Sequence, residues 1–150
     1  MLNNDYKDIL YALSKRKVKF LLVGAYAMAA HGYPRSTMDI DLWIMPDPEN
    51  ACLALQALED FGAPLGGLSP EDLQKKDLIF QIGVAPRRID IITFADGLKF
   101  YEAFANSEIV EIDGLSIHVL SIPDLIKNKQ ATGRTKDLAD VETLTPKSTL

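Results

Sequence analysis

Asp39 and Asp41 stand one residue apart in "MDIDLWIM", a run that otherwise reads as core. If that run is a strand, the two carboxylates project from one face, roughly 7 Å apart, while Ile40 and Leu42 point the other way. Two carboxylates that close repel and raise each other's pKa unless a cation neutralises them. A divalent ion does so directly, and hard oxygen donors at this spacing suit Mg²⁺ or Mn²⁺. Asp90, in "RRIDIITF", repeats the anomaly in a second apolar run. An unpaired buried carboxylate costs several kcal/mol, so three in core-like strands ask for one explanation. Convergence on one or two metal ions is such an explanation, and metals so held serve phosphoryl transfer.

Upstream, "LLVGAYAMAA" closes an apolar run at Gly24 and begins an alanine-rich helix at once. Backbone amides at such a start favour an anion, and glycine lets a ligand come close. Each residue also has a plainer reading. Gly24 serves equally as a tight turn, Asp39 as the cap of a strand and Asp41 as a partner of Arg35. Arg35 can hold the aspartates or contact phosphate, and Thr37 suits a strand-start hydrogen bond. His31, at a helix end, is read as structural. His118 reads as a strand residue and Cys52 as core filler on an apolar helix face.

The elements that must position these residues are legible in outline. "NNDYKDILYALSKRK" predicts a first helix, capped at Asn4 or Asp5, with Ile9, Leu10 and Leu13 on one face. "VKFLLVG" is a buried strand, "AYAMAAHG" a short helix and "MDIDLWIM" a strand. Asp47 caps a helix with Pro48 in its first turn, running to Gly62. "EDLQKK" adds a helical turn. "DLIFQIGV" and "RRIDIITF" form a hairpin, "ADGLKFYEAFAN" becomes helical, and Asp113-Gly114 turns a second hairpin. Ser121 and Asp124 have capping-box spacing at the start of a helix that Gly133 ends, and "TKDLADVETL" is the last helix. These elements predict one α/β (α+β) domain over residues 1–144, built on a mixed, twisted sheet flanked by helices, with a tail at 145–150.

Composition bounds the function. The chain has 150 residues, 47% hydrophobic and 25% charged, as ordinary globular proteins do. Its net charge of −5 argues against a surface coated for nucleic acid. One local exception is 127–136, where Lys127, Lys129, Arg134 and Lys136 occur with no acidic residue. No apolar run nears the ~20 residues that span a bilayer, so no membrane role is expected. A single cysteine fits a cytoplasmic protein.

"VGAYAMAAHGYPRSTMDIDLWI" resembles the signature of the nucleotidyltransferase superfamily with the DNA polymerase β-type fold. That signature is a glycine turn opening a helix, then Asp-x-Asp, then a third carboxylate on a later strand. The nearest resemblance is to AbiEii toxin-like and minimal nucleotidyltransferases, with Ala27, His31, Gly32, Arg35, Thr37, Asp39, Ile40 and Asp41 in register. "RIDIITFADGLKF" resembles the strand of the third carboxylate, and "LIKNKQATGRTKDLADVETL" the closing segment, so the likeness covers most of 18–144. Ala25 departs from it, standing where catalytic members usually carry Gly or Ser.

The resemblance implies an enzyme that joins a nucleoside monophosphate from an NTP to a hydroxyl acceptor. The acceptor would be a tRNA 3′ end or a protein side chain, and the protein would belong to a toxin–antitoxin pair with an antitoxin partner. Asp39, Asp41 and Asp90 would hold Mg²⁺ or Mn²⁺ and carry catalysis. Gly24, Ala25, Arg35, Thr37, Lys127 and Lys129 would bind the nucleotide. The rival is a non-catalytic nucleotide- or partner-binding module of the same fold, and a weaker third reading is an RNA binder using 127–136. Convergence of Asp90 with the Asp39–Asp41 pair separates the first two.

Overall fold

The computed structural model describes residues 2–34, 39–84 and 87–146. Arg35 and Thr37 lie outside the described residues. Six strands form one mixed sheet: β1 (Phe20–Val23), β2 (Ile40–Ile44), β3 (Ile79–Ile82), β4 (Ile89–Ile92), β5 (Glu108–Ile112) and β6 (Leu115–Val119). Their order across the sheet is β3-β4-β2-β1-β6-β5. β1 and β2 run antiparallel, β2 and β4 parallel, and β1 and β6 parallel. The two hairpins expected from the sequence form the margins, β3–β4 and β5–β6. The central strands β1 and β2 are buried nearly throughout, which is why they read as continuous apolar runs.

The helices are α1 (Asn4–Lys15), α2 (Gly24–Ala30), α3 (Pro48–Phe61), α4 (Phe100–Asn106), α5 (Ile122–Thr132) and α6 (Thr135–Leu144), with a 3₁₀ turn at Asp72–Gln74. Helix α1 buries Tyr6, Ile9, Leu10 and Leu13 at helical spacing. Its cap is Asn3, one residue ahead of the expected Asn4 or Asp5, and the Asn3 side chain accepts from the Tyr6 amide at 2.9 Å. Asp47 caps α3 as expected, accepting from the Asn50 amide at 2.7 Å, and Gly62 ends that helix at φ +88°.

Cys52 corrects the sequence reading: it is exposed. The face of α3 that meets the core carries Ala51, Ala54, Ala57 and Leu58, and Cys52 lies about 100° round from Ala51. Asn50, by contrast, is buried and gives hydrogen bonds to the carbonyls of Lys19 and Met45 while accepting from the Lys19 amide. One side chain thus ties α3 to the outer ends of β1 and β2. Among the described residues, no helix is long and apolar enough to cross a membrane.

Candidate active site

The register of the central strands assembles the site. Val23 opposes Asp41 across β1–β2, Asp41 opposes Asp90 across β2–β4, and Asp90 opposes Gln81 across β4–β3. Strand side chains opposite one another share a face, so Asp41 and Asp90 lie side by side. Asp39, at the mouth of β2, joins them through Arg88. The Arg88 guanidinium lies 2.7 and 3.1 Å from the two oxygens of Asp90 and 3.2 Å from Asp39 Oδ2. The Arg88 backbone amide donates to Asp39 Oδ1 at 3.2 Å.

β1 ends where Gly24 turns at φ +68° into α2. That left-handed conformation suits glycine, and a Cβ there would collide with the Asp41 carboxylate. The turn and the carboxylates are therefore fitted to one another.

Electrostatics set Asp41 apart from surface acids. Burial, then the neighbouring Asp90, then Asp39 push the Asp41 carboxyl up to about 6, against the opposing pull of Arg88. The acids in turn raise Arg88 above its ordinary value, its bond to Asp90 being the largest cause.

A second wall faces the sheet. α5 and α6 carry a network around Asp137 and Asp140, both buried. Lys129 Nζ lies 2.8 Å from Asp140 and 3.9 Å from Asp137, and Arg134 Nε lies 2.6 Å from Asp137. Burial pushes the Asp137 carboxyl up, but hydrogen bonds from Arg134 and Thr132 and the nearby Lys129 outweigh it and hold it low. The ammonium beside Asp140 is that of Lys129, from the preceding helix. The basic segment 127–136 is thus no uniformly free cationic face.

Between the walls lies a cleft of about 570 Å³. Gly24, Ala25, Asp39, Asp41, Arg88 and Asp90 line it from the sheet side, and Lys129, Arg134 and Lys136 from the helix side. Lys127 was expected to face a nucleotide with Lys129, but it is exposed and does not line the cleft. The α5 turn that sends Lys129 inward sends Lys127 elsewhere. His31 is structural, with Nε2 2.8 Å from the Leu120 carbonyl oxygen. His118 stacks on Phe104, away from the cleft. Arg88 is the residue that sequence reasoning missed, and its signal was present: it sits two before Asp90, on the same strand face.

Among the described residues, no group of three or more Asp, Glu, His or Cys side chains is arranged to hold a metal ion as it stands. The carboxylates instead share their charge with Arg88 and one another. The donor set nonetheless fits a divalent ion: three carboxylates on a cleft floor, of which Asp41 is half-buried and raised to about 6.

Solved structures share this architecture. A Thermotoga maritima protein described as a nucleotidyltransferase is 20% identical, over 96% of this chain and 92% of its own, with a TM-score of 0.55. ANT(2″)-Ia, solved in complex with adenylyl-2″-tobramycin, is 17% identical over 93% of this chain and 84% of its own, at a TM-score of 0.55. The lincosamide antibiotic adenylyltransferase LnuA, solved with lincomycin, is 14% identical over 96% of each chain, at 0.57. The chain has the nucleotidyltransferase fold. No family model matches the sequence, and a search of curated proteins finds none similar to it.

Proposed function

We propose that this chain is a metal-dependent nucleotidyltransferase, moving a nucleoside monophosphate from an NTP to a hydroxyl acceptor. The observation that carries this is the parallel register setting Asp90 beside Asp41, with Arg88 joining Asp39 to the same cluster. Asp39, Asp41 and Asp90 would hold Mg²⁺ or Mn²⁺. A metal there neutralises phosphate oxygens and acidifies the attacking hydroxyl.

The chain's own residues do the rest. Gly24 and Ala25 let the phosphates approach the backbone. Asp90 takes the proton of the acceptor hydroxyl as its oxygen bonds to the α-phosphorus. The bond from the α-phosphorus to the bridging oxygen breaks, and pyrophosphate leaves toward Lys129, Arg134 and Lys136. Arg35 and Thr37 belong to the same proposed nucleotide site.

A tRNA 3′ end or a protein hydroxyl is the acceptor class carried over from the sequence resemblance. LnuA and ANT(2″)-Ia, whose structures hold antibiotic-derived ligands, add small hydroxyl-bearing molecules to the set worth testing. An antitoxin partner and a cytoplasmic setting belong to the same reading. The second reading, a non-catalytic binding module, rests on Ala25, which offers phosphate no hydroxyl.

The experiment is label transfer from each α-³²P-NTP, with Mg²⁺ or Mn²⁺, to tRNA, to protein and to a panel of small hydroxyl compounds. Transfer with pyrophosphate release that Asp90→Asn removes supports the enzyme. Metal-dependent NTP binding without pyrophosphate release on any acceptor favours the binding module.

A further inference from the structure

Arg88 combines a fixed backbone with a side chain held by the very carboxylates the proposed metal needs. Its carbonyl accepts from the Ile40 amide and from the Tyr6 hydroxyl, each at 3.1 Å, and its amide donates to Asp39. These bonds pin the start of β4 to α1 and β2. The guanidinium lies at the cleft wall, with the side chain 28% exposed, and its ion pairs run to Asp39 and Asp90. Rotation of the side chain therefore releases both carboxylates from the guanidinium without moving the strand, and leaves Asp39 only its bond from the Arg88 amide.

We infer that Arg88 is an exchange residue: it holds the carboxylates together before metal arrives, then yields them and takes the phosphates of the substrate. This rests on the nucleotidyltransferase reading above and deepens it. The charge balance favours the exchange. Three carboxylates facing one guanidinium leave the cluster short of cation, whereas a divalent ion satisfies them better. A displaced guanidinium at the cleft wall would lose its partners, and the triphosphate offers bidentate replacements of matching geometry. Metal and nucleotide should then help each other bind, because each removes a cost the other would otherwise bear. Arg88 acts here as a positioning residue and a phosphate contact, with no proton to give or take.

Mn²⁺ binding, read from the electron-paramagnetic signal of free Mn²⁺, tests this without turnover. It is measured alone and with non-hydrolysable α,β-methylene analogues of ATP and GTP. In the native chain the analogue should tighten Mn²⁺. In Arg88→Gln, Mn²⁺ alone should bind roughly tenfold tighter than to the native chain, the analogue roughly tenfold weaker, and their mutual help should shrink. Arg88→Lys keeps the charge without the fork, and it should fall between the two if the glutamine variant folds poorly. Tight Mn²⁺ binding by the native chain that either variant leaves unchanged or weakens overturns the exchange alone. If no protein retains Mn²⁺ with or without analogue, the exchange and the nucleotidyltransferase reading fall together.

Discussion

Gly24 and Asp41 compete for the same space: a Cβ built on Gly24 would lie 2.5 Å from Asp41 Oδ2. Gly24 also holds φ +68°, where L side chains are strained. Gly24→Ala should therefore cost about 1–2 kcal/mol from the backbone alone, and more from the displaced carboxylate. Thermal unfolding should show that loss. Mn²⁺-dependent nucleotide binding should fall further than stability does, because Asp41 cannot keep its place beside Asp90. A variant that binds as the native chain does would mean that the turn and the carboxylate are not fitted to each other.

Asp41 sets function against stability. Burial and the neighbouring acids push its carboxyl up to about 6 in the fold, against an ordinary 3.8. A raised carboxyl pKa means the folded state holds its proton longer. The associated stability is present below pH 3.8 and is lost as pH rises through 6. The loss amounts to about 3 kcal/mol at most for a shift of this size. Asp41→Asn carries a neutral amide that can still donate to Asp90. It should melt higher than the native chain at pH 7.5 without metal, with the gap closing toward pH 4. The same substitution should abolish metal-dependent nucleotide binding.

The fold was legible where burial is one-sided and capping is local. Asp47, Gly62, Ser121, Gly133 and the two hairpins were all readable from short-range chemistry. So was the shared face of Asp39 and Asp41, since period two fixes it. The pairing of Asp41 with Asp90 was only inferable as a need, because strand order is a long-range choice that no local pattern encodes. Arg88 escaped for a related reason: "RRID" reads as a charged strand entry until β2 is laid beside it. Cys52 was misjudged through helix phase, where a step of one residue turns a side chain by about 100°.

The network around Asp137 should matter more for stability than its position at the cleft suggests. Asp137 is 1% exposed and holds Arg134, just ahead of its own helix, and Lys129 from α5. Asp137→Ala takes one carboxylate from the Lys129 ammonium and from the Arg134 guanidinium and removes one of the acceptors of the Thr132 hydroxyl. Breaking a buried charge network from one side costs about 3 kcal/mol, measurable by urea unfolding. Hydrogen exchange should show the loss first at α5 and α6, since those two helices pack on each other. A variant as stable as the native chain would mean the network is solvated rather than buried.

Ala25 separates the two proposed readings, nucleotidyltransferase and non-catalytic binding module. It lines the cleft beside Gly24, where a serine could offer a hydroxyl to a phosphate oxygen. Ala25→Ser adds one oxygen at a half-buried position near the start of α2, so folding stability should change by less than about 0.5 kcal/mol. If the cleft binds a nucleotide's phosphates there, the added hydrogen bond is worth about 1 kcal/mol, or roughly fivefold in affinity. Calorimetry with Mn²⁺ and each NTP reads that gain directly. A fivefold tightening with faster label transfer would mean that the native chain works with a weakened phosphate grip. Tightening without any transfer would point to a site that binds nucleotide and goes no further. No change in affinity would place the phosphates elsewhere in the cleft, nearer Lys129 and Arg134 than Gly24.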